Sequence, residues 1–345
     1  MKIKISTFSL LLLVIIGACK KQATAISTNA NDIFWVTNLG ADMPVWVKGN
    51  TASKTFILVL HGGPGEGAYN FADEETARLR NKYAVAYWEQ RNAGTAGGNN
   101  NYQNLSLEQM VNDLGQVVKV MKYRYGSNIS IFIYGHSFGG LLAAAYLVTG
   151  DNQNEVKGWI DIDGAHNYPL TNALSKKMLI DTGNAQIAKG QNVNEWKEIV
   201  TYCKTHNPNK SFNASSQIEV YAYDAQKYMS VDEQGAVVSL FSPEDPMALL
   251  SNWYKMFNTA AGDAFVQSLQ DDRYSKRLQR VKIPALLLWG RYDFTVPWQV
   301  GEDAQKNLGS AYTRFVIFPH SGHRPIQSDT DSAENEIITF VDRFK

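Results

Sequence analysis

The sequence predicts an α/β fold: a mostly parallel, doubly wound sheet with an inserted, mainly helical cap. Three features carry that expectation. Short, nearly continuous apolar runs recur along the chain, the pattern of strands buried on both faces. Helical periodicity alternates with them, as the crossovers between parallel strands require. Between Asp163 and about Arg280 that alternation stops, and more than a hundred residues rich in Tyr, Trp, Asn and Gln take its place.

Ahead of the sheet, Lys2 and Lys4 precede an apolar run over residues 8–16, too short to span a bilayer as a helix. It ends in Ile16-Gly17-Ala18-Cys19, which resembles the bacterial lipobox. Residues 1–18 are therefore expected to be a lipoprotein signal peptide, with Cys19 the lipid attachment and the domain tethered to a membrane outside the cytoplasm. An ordinary secretory signal with a stray cysteine is the alternative. Residues 19–31 are polar and aperiodic and read as a tether. With Cys19 lipidated only Cys203 remains, so no intrachain disulfide can form.

The elements of the domain follow in order. Residues 33–36 and 44–48, separated by a turn at 38–42, read as a hairpin. The runs TFILVL (Thr55–Leu60) and YAVAYW (83–88) read as buried strands, and Gly97-Gly98-Asn99-Asn100-Asn101 as a mobile loop. Ser106 and Gln109 form a capping box that opens a helix with apolar residues at Met110, Val111, Leu114, Val117, Val118 and Met121, ended by Gly126. A strand over residues 128–134 runs straight into the turn Gly135-His136-Ser137-Phe138-Gly139-Gly140 and a helix of small apolar residues. Further strands are expected at 156–162, 285–289 and 314–318. The domain thus divides into a first core part (32–165), a cap (166–280) and a second core part (281–345).

The turn carries the chemistry. A G-x-S-x-G sequence is weak alone, but between a buried strand and a small-residue helix it fits a serine lifted above a sheet edge on a strained turn, where side chains at 135 and 139 would collide with neighbours. A serine hydroxyl needs a base at neutral pH. His323 lies in the loop after the last strand, and loops at the carboxyl ends of parallel strands converge on one crevice. His320 in the same loop is the rival, and His136 is expected to point elsewhere. The imidazole needs a carboxylate to fix its tautomer; Asp293, after the preceding strand, is the candidate, with Asp163 the alternative. An oxyanion needs two N–H donors. His61-Gly62-Gly63-Pro64-Gly65 follows a strand, and since Pro64 has no N–H, Gly63 is the expected donor, paired with Phe138.

HGGPG at 61–65, Glu89-Gln90-Arg91-Asn92, GHSFGG, GRYD at 290–293 and SGH at 321–323 together resemble the proline iminopeptidase branch of the α/β-hydrolases, across both core parts but not the cap. That branch usually carries D-Q-R-G at residues 89–92 and G-G-S-W-G at 135–139. The resemblance implies an α/β-hydrolase fold and a small-molecule or short-peptide substrate; no metal or organic cofactor is implied. In that family acidic cap side chains hold the substrate's free amino group, for which Glu195, Glu198, Glu219, Asp224, Glu233 and Glu244 are open candidates here. Glu66 is a second place for an ammonium, or an exposed loop carboxylate. Arg91 either bridges loops or meets a substrate carboxylate.

Thirty-three basic residues balance thirty-three acidic ones, so no net field recruits nucleic acid or anionic membrane, and the lipid is the only membrane link expected. Three functions stay open: an aminopeptidase, a small-ester carboxylesterase, and a non-catalytic binding protein on a hydrolase scaffold. Ser137 stands where epoxide hydrolases and haloalkane dehalogenases carry an aspartate, which argues against both.

Overall fold

The run TFILVL forms β3 (Thr55–Leu60), every residue of it buried. It sits inside a sheet whose order is β1 (Ala30–Asn38), β2 (Ala41–Gly49), β4 (Ala84–Trp88), β3, β6 (Ser130–His136), β7 (Gly158–Ile162), β8 (Ala285–Gly290) and β9 (Thr313–Phe318), with the two-residue β5 (Gly97–Gly98) pairing with β2. β2 pairs antiparallel with β1 and with β4; from β4 to β9 every pairing is parallel. The computed structural model describes residues 27–68, 74–98, 104–229, 256 and 259–345.

Successive residues of a strand face opposite sides, and β3 divides accordingly. Phe56, Leu58 and Leu60 pack into one core and Ile57 and Val59 into the other. The first core is closed by α2 (Leu107–Tyr125) and the second by α1 (Ala77–Lys82) and the terminal helix over residues 330–344, through Leu79, Ile337, Phe340 and Val341. Ser106 caps α2, its hydroxyl accepting from Gln109 N–H at 3.1 Å. The reciprocal half of the expected capping box is missing, because the Gln109 side chain donates to Asp113 instead. The helix after the GHSFG turn, α3 (Phe138–Leu147), is buried at all ten positions, which its small residues permit.

Two expectations need correction. Ala30 and Asn31, read as tether, pair with Gly49 and Lys48, and Ser27 N–H donates to Thr51 Oγ1. A half-exposed edge strand needs only its backbone, so polar residues can occupy it without an apolar signature. Gly97 and Gly98, read as mobile loop, pair with Asp42 and Ala41; Asn99, Asn100 and Asn101 lie outside the described residues, as does Cys19.

The described part of the insertion between β7 and β8 is mainly helical. It contains α4 (Tyr168–Ala188), α5 (Val193–Thr205), α6 (Phe212–Tyr228) and α7 (Ala260–Leu269). Its two ends lie side by side, Asn167 bridging to Arg273. Leu179, Trp196, Ile199, Ile218 and Ala222 form a core of its own, into which Phe294 from the loop after β8 is inserted.

Candidate active site

Ser137 directly follows β6 with φ 53° and ψ −117°, outside the regions that non-glycine residues normally occupy. Strain of this kind costs about 1–3 kcal/mol and persists only where neighbours enforce it. Here Ser137 N–H donates to Ile162 O at 3.0 Å, while Gly140 and Ala165 N–H donate to Ser137 O at 2.9 and 3.2 Å. The two glycines are required as expected. A Cβ on Gly135 would lie 2.5 Å from Gly139 O, and one on Gly139 would lie 2.1 Å from Leu60 O.

Across the same sheet edge, His323 Nδ1 lies 2.7 Å from Asp293 Oδ2. The other carboxylate oxygen, Oδ1, accepts from Thr295 and Val296 N–H at 2.9 and 2.8 Å. These partners put the proton on Nδ1 and leave Nε2 as an acceptor. Asp293 is fully buried while the His323 side chain keeps 11% of its surface, so the imidazole is the reachable end of the pair. Burial pulls the His323 pKa down, but the charge and hydrogen bond of Asp293 outweigh it and the net shift is upward. The Ser137 hydroxyl is not hydrogen-bonded to His323 in this arrangement. Unliganded sites often hold such pairs loosely.

Asp163, the alternative acid, sits behind the pair. Its Oδ1 accepts from Gly290 N–H at 3.0 Å. Burial first, and the Asp293 charge second, raise its pKa well above the usual carboxylate range, which favours the neutral acid beside Asp293. His136 does not point away as expected: its Nε2 donates to His323 O at 2.9 Å and the two rings are 5.0 Å apart. Burial, followed by the neighbouring His323 and Arg324, lowers its pKa well below the usual range, so it is neutral. His136, Asp163 and His323 bring potential ligand atoms within 4.8 Å of one another; His136 Nε2, Asp163 Oδ1 and His323 Nδ1 are taken by the hydrogen bonds just described.

The HGGPG loop closes over the serine. A Cβ on Gly62 would lie 3.2 Å from Ser137 Cβ and 3.0 Å from Glu66 Oε2. The loop is pinned by His61, whose Nδ1 donates to Gly62 O and whose Nε2 accepts from Gln90 N–H; burial lowers its pKa to about 4, so it is neutral. Gly63 has φ 105° and Phe138 is the first residue of α3, whose N–H groups are not consumed by the helix itself. A cavity of about 60 Å³ beside Ser137 is lined by Gly63, Pro64, Tyr168, Glu219 and Thr295, among others.

The other candidates separate cleanly. Glu219, on α6, reaches solvent through the cavity mouth, yet surrounding protein removes enough water to raise its carboxyl pKa, with His323 opposing the rise and Glu66 adding to it. Glu66 is half-buried and its charge also bears on His323. Arg91 is not a substrate ligand: it is 1% exposed, locked to Asp113 by two 2.8 Å contacts and donating to Asn38 O. Glu195 and Glu198 lie on the exposed face of α5, and Asp224 pairs with Lys227. Glu233 and Glu244 lie outside the described residues. Sequence reading missed Gln226 on α6, which is buried and accepts from His323 N–H at 3.2 Å; no motif marks it.

Known proteins resemble this chain in sequence and in fold. The sequence profile of the alpha/beta hydrolase fold family matches residues 55–326. A proline iminopeptidase of Saccharolobus solfataricus is 20% identical over 303 residues, covering 86% of this chain and 87% of that protein. One from Lactobacillus crispatus is 23% identical over 303 residues, covering 86% and 93%. Among solved structures, the proline iminopeptidase of Mycobacterium smegmatis superposes with a TM-score of 0.62 at 15% identity, covering 90% of this chain and 98% of that one. The esterase EaEST from Exiguobacterium antarcticum gives 0.59 at 16% identity, covering 89% and 98%. At such identities the structures speak to the fold alone. The profile match and the sequence relatives establish that the chain belongs to the α/β-hydrolase fold family and is a distant homologue of the proline iminopeptidases over most of its length.

Proposed function

We propose that this hydrolase-family chain is a serine hydrolase that cleaves an ester or amide bond through an acyl-enzyme, with Ser137 as nucleophile, His323 as base and Asp293 as the acid that orients it. The observation that carries the reading is a serine held in a strained turn on the same sheet edge as a buried His323–Asp293 pair. Ser137 Oγ attacks the carbonyl carbon while His323 Nε2 takes its proton. Gly63 and Phe138 N–H groups receive the oxyanion, each worth about 3–4 kcal/mol in such sites. The intermediate collapses as His323 protonates the departing amine or alcohol. Water, deprotonated by the same imidazole, then releases the acid and restores Ser137.

Within that reading an aminopeptidase acting on small peptides, N-terminal proline included, is favoured. Glu219 lines the cavity beside Ser137, with Glu66 near enough for its charge to act on it, a setting suited to a substrate ammonium, and the sequence relatives quoted above are proline iminopeptidases. A small-ester carboxylesterase is the second reading; a pimeloyl-[acyl-carrier protein] methyl ester esterase of Vibrio atlanticus is 30% identical over 80 residues. Prolyl arylamides and p-nitrophenyl esters assayed side by side separate them. Glu219→Gln is expected to raise KM for the arylamide about tenfold, the worth of one charged contact, and to leave ester turnover alone. Equal effects on both substrates would reject the ammonium role. Ser137→Ala should abolish both activities. We also propose that Cys19 is lipidated and tethers the domain to a membrane outside the cytoplasm, on the strength of the Ile16-Gly17-Ala18-Cys19 pattern.

A further inference from the structure

We infer that Gln226 of the cap helix α6 is a positioning residue for His323, tying the cap to both loops that carry the His323–Asp293 pair. The inference rests on the serine-hydrolase reading. Gln226 is 1% exposed. Its Oε1 accepts from His323 N–H at 3.2 Å, and its Nε2 makes a long 3.4 Å contact with Thr295 Oγ1. Thr295 N–H in turn donates to Asp293 Oδ1 at 2.9 Å. One cap side chain therefore touches the backbone of His323 and the loop that carries Asp293, with the acid itself one bond further on.

The rest of α6's buried face is Ala214, Ser215, Ile218, Ala222 and Ala225, where packing alone would be met by an apolar residue. Burying an amide costs free energy unless its polar atoms are bonded, so the choice of glutamine needs a reason, and the two catalytic loops supply it. His323 is held from three sides: its N–H by Gln226, its carbonyl by His136 Nε2 at 2.9 Å, and its ring by Asp293. The His136 contact comes from the residue beside the nucleophile, so the base is suspended between the cap and the serine turn. Two further contacts fasten the acid loop to the cap. Phe294 packs 6.2 Å from Trp196, and Ser175 Oγ of α4 donates to Phe294 O at 2.6 Å.

Glu219 lies seven residues before Gln226, two helical turns or about 10 Å along the same face. The side chain suited to a substrate ammonium and the one that holds the base thus sit on one helix.

The test uses the full chain. Gln226→Leu and Gln226→Glu are compared with the natural protein for the rate of fluorophosphonate attachment at Ser137 and for p-nitrophenyl acetate hydrolysis, each as a function of pH, with thermal melts as the folding control. Gln226→Leu should slow both reactions about 10- to 100-fold, as small misplacements of a reacting group do, with KM nearly unchanged. Gln226→Glu keeps the acceptor for His323 N–H. It should recover most of the rate and, by setting a carboxylate against the backbone of the residue that carries the imidazole, move the acid limb of the profile to higher pH. Natural rates in Gln226→Leu, or an unmoved limb in Gln226→Glu, would overturn the inference. If the leucine variant does not fold, the limb of the glutamate variant decides. A natural protein that takes no probe fails the serine-hydrolase reading itself, whereas a labelled natural protein with indifferent variants fails only the role of Gln226.

Discussion

The Asp293 carboxylate is held in place against His323 by the bonds its two oxygens make. One oxygen is committed to two backbone N–H groups and the other faces the imidazole. Asp163, which would repel it if ionised, stays neutral instead. The sign of the pH effect follows. A carboxyl whose folded pKa is raised binds more protons in the native state, so stability falls as pH climbs from the ordinary carboxylate range through the raised value. Asp163→Asn can accept from Gly290 N–H and donate to Asp293 without carrying a titratable proton. It is expected to keep near-natural activity and lose that decline, whereas Asp163→Leu orphans Gly290 N–H and should cost about 1–3 kcal/mol; urea denaturation at a series of pH values rising from the ordinary carboxylate range reads both. His323 behaves oppositely. Its raised pKa places the acid limb of kcat/KM above the ordinary imidazole value, with activity rising with pH through it.

At the scale of elements, the turn at Ser137 is fixed by what its glycines exclude. Gly139→Ala puts a methyl 2.1 Å from Leu60 O, against backbone that cannot swing away, and is expected to cost at least about 1–3 kcal/mol, read as a lowered thermal midpoint, with loss of probe labelling. This part was legible because β6, the glycine spacing and the small residues of α3 are all local. Other parts were not local. Arg91 finds Asp113 on α2, twenty-two residues away, and nothing in Glu89-Gln90-Arg91-Asn92 announces a buried partner. His136 follows the backbone of a strained turn across to His323, a direction that no sequence pattern encodes. Gln226 is the clearest case: a polar residue in a cap helix whose meaning comes only from a loop ninety-seven positions later. The edge strand β1 escaped partly because an exposed face leaves no apolar run.

For the whole molecule, parallel order does the assembling. From β4 to β9 all strands end on one edge, so loops separated by up to 262 residues in sequence meet there, from His61 to His323, and a helical insertion covers them. The buried runs foretold that sheet; the cap was foretold as a region but not in its contacts. The proposed N-terminal anchor stands apart from this logic. Replacing Cys19 by Ser is expected to move the protein from the membrane to the soluble fraction, with labelled fatty acid no longer incorporated; retention of both would reject the anchor.

The central claim, that Ser137 is a nucleophile activated by His323, is tested most directly by fluorophosphonate labelling of the folded natural protein followed by mass analysis of its peptides. The probe's phosphorus–fluorine bond is exchanged for a bond to the attacking oxygen, with fluoride leaving. A single adduct on the peptide containing Ser137, abolished by Ser137→Ala and slowed about a thousandfold or more in His323→Ala, is the expected result. Folded protein that stays unmodified, or that carries the adduct on another residue, contradicts the account.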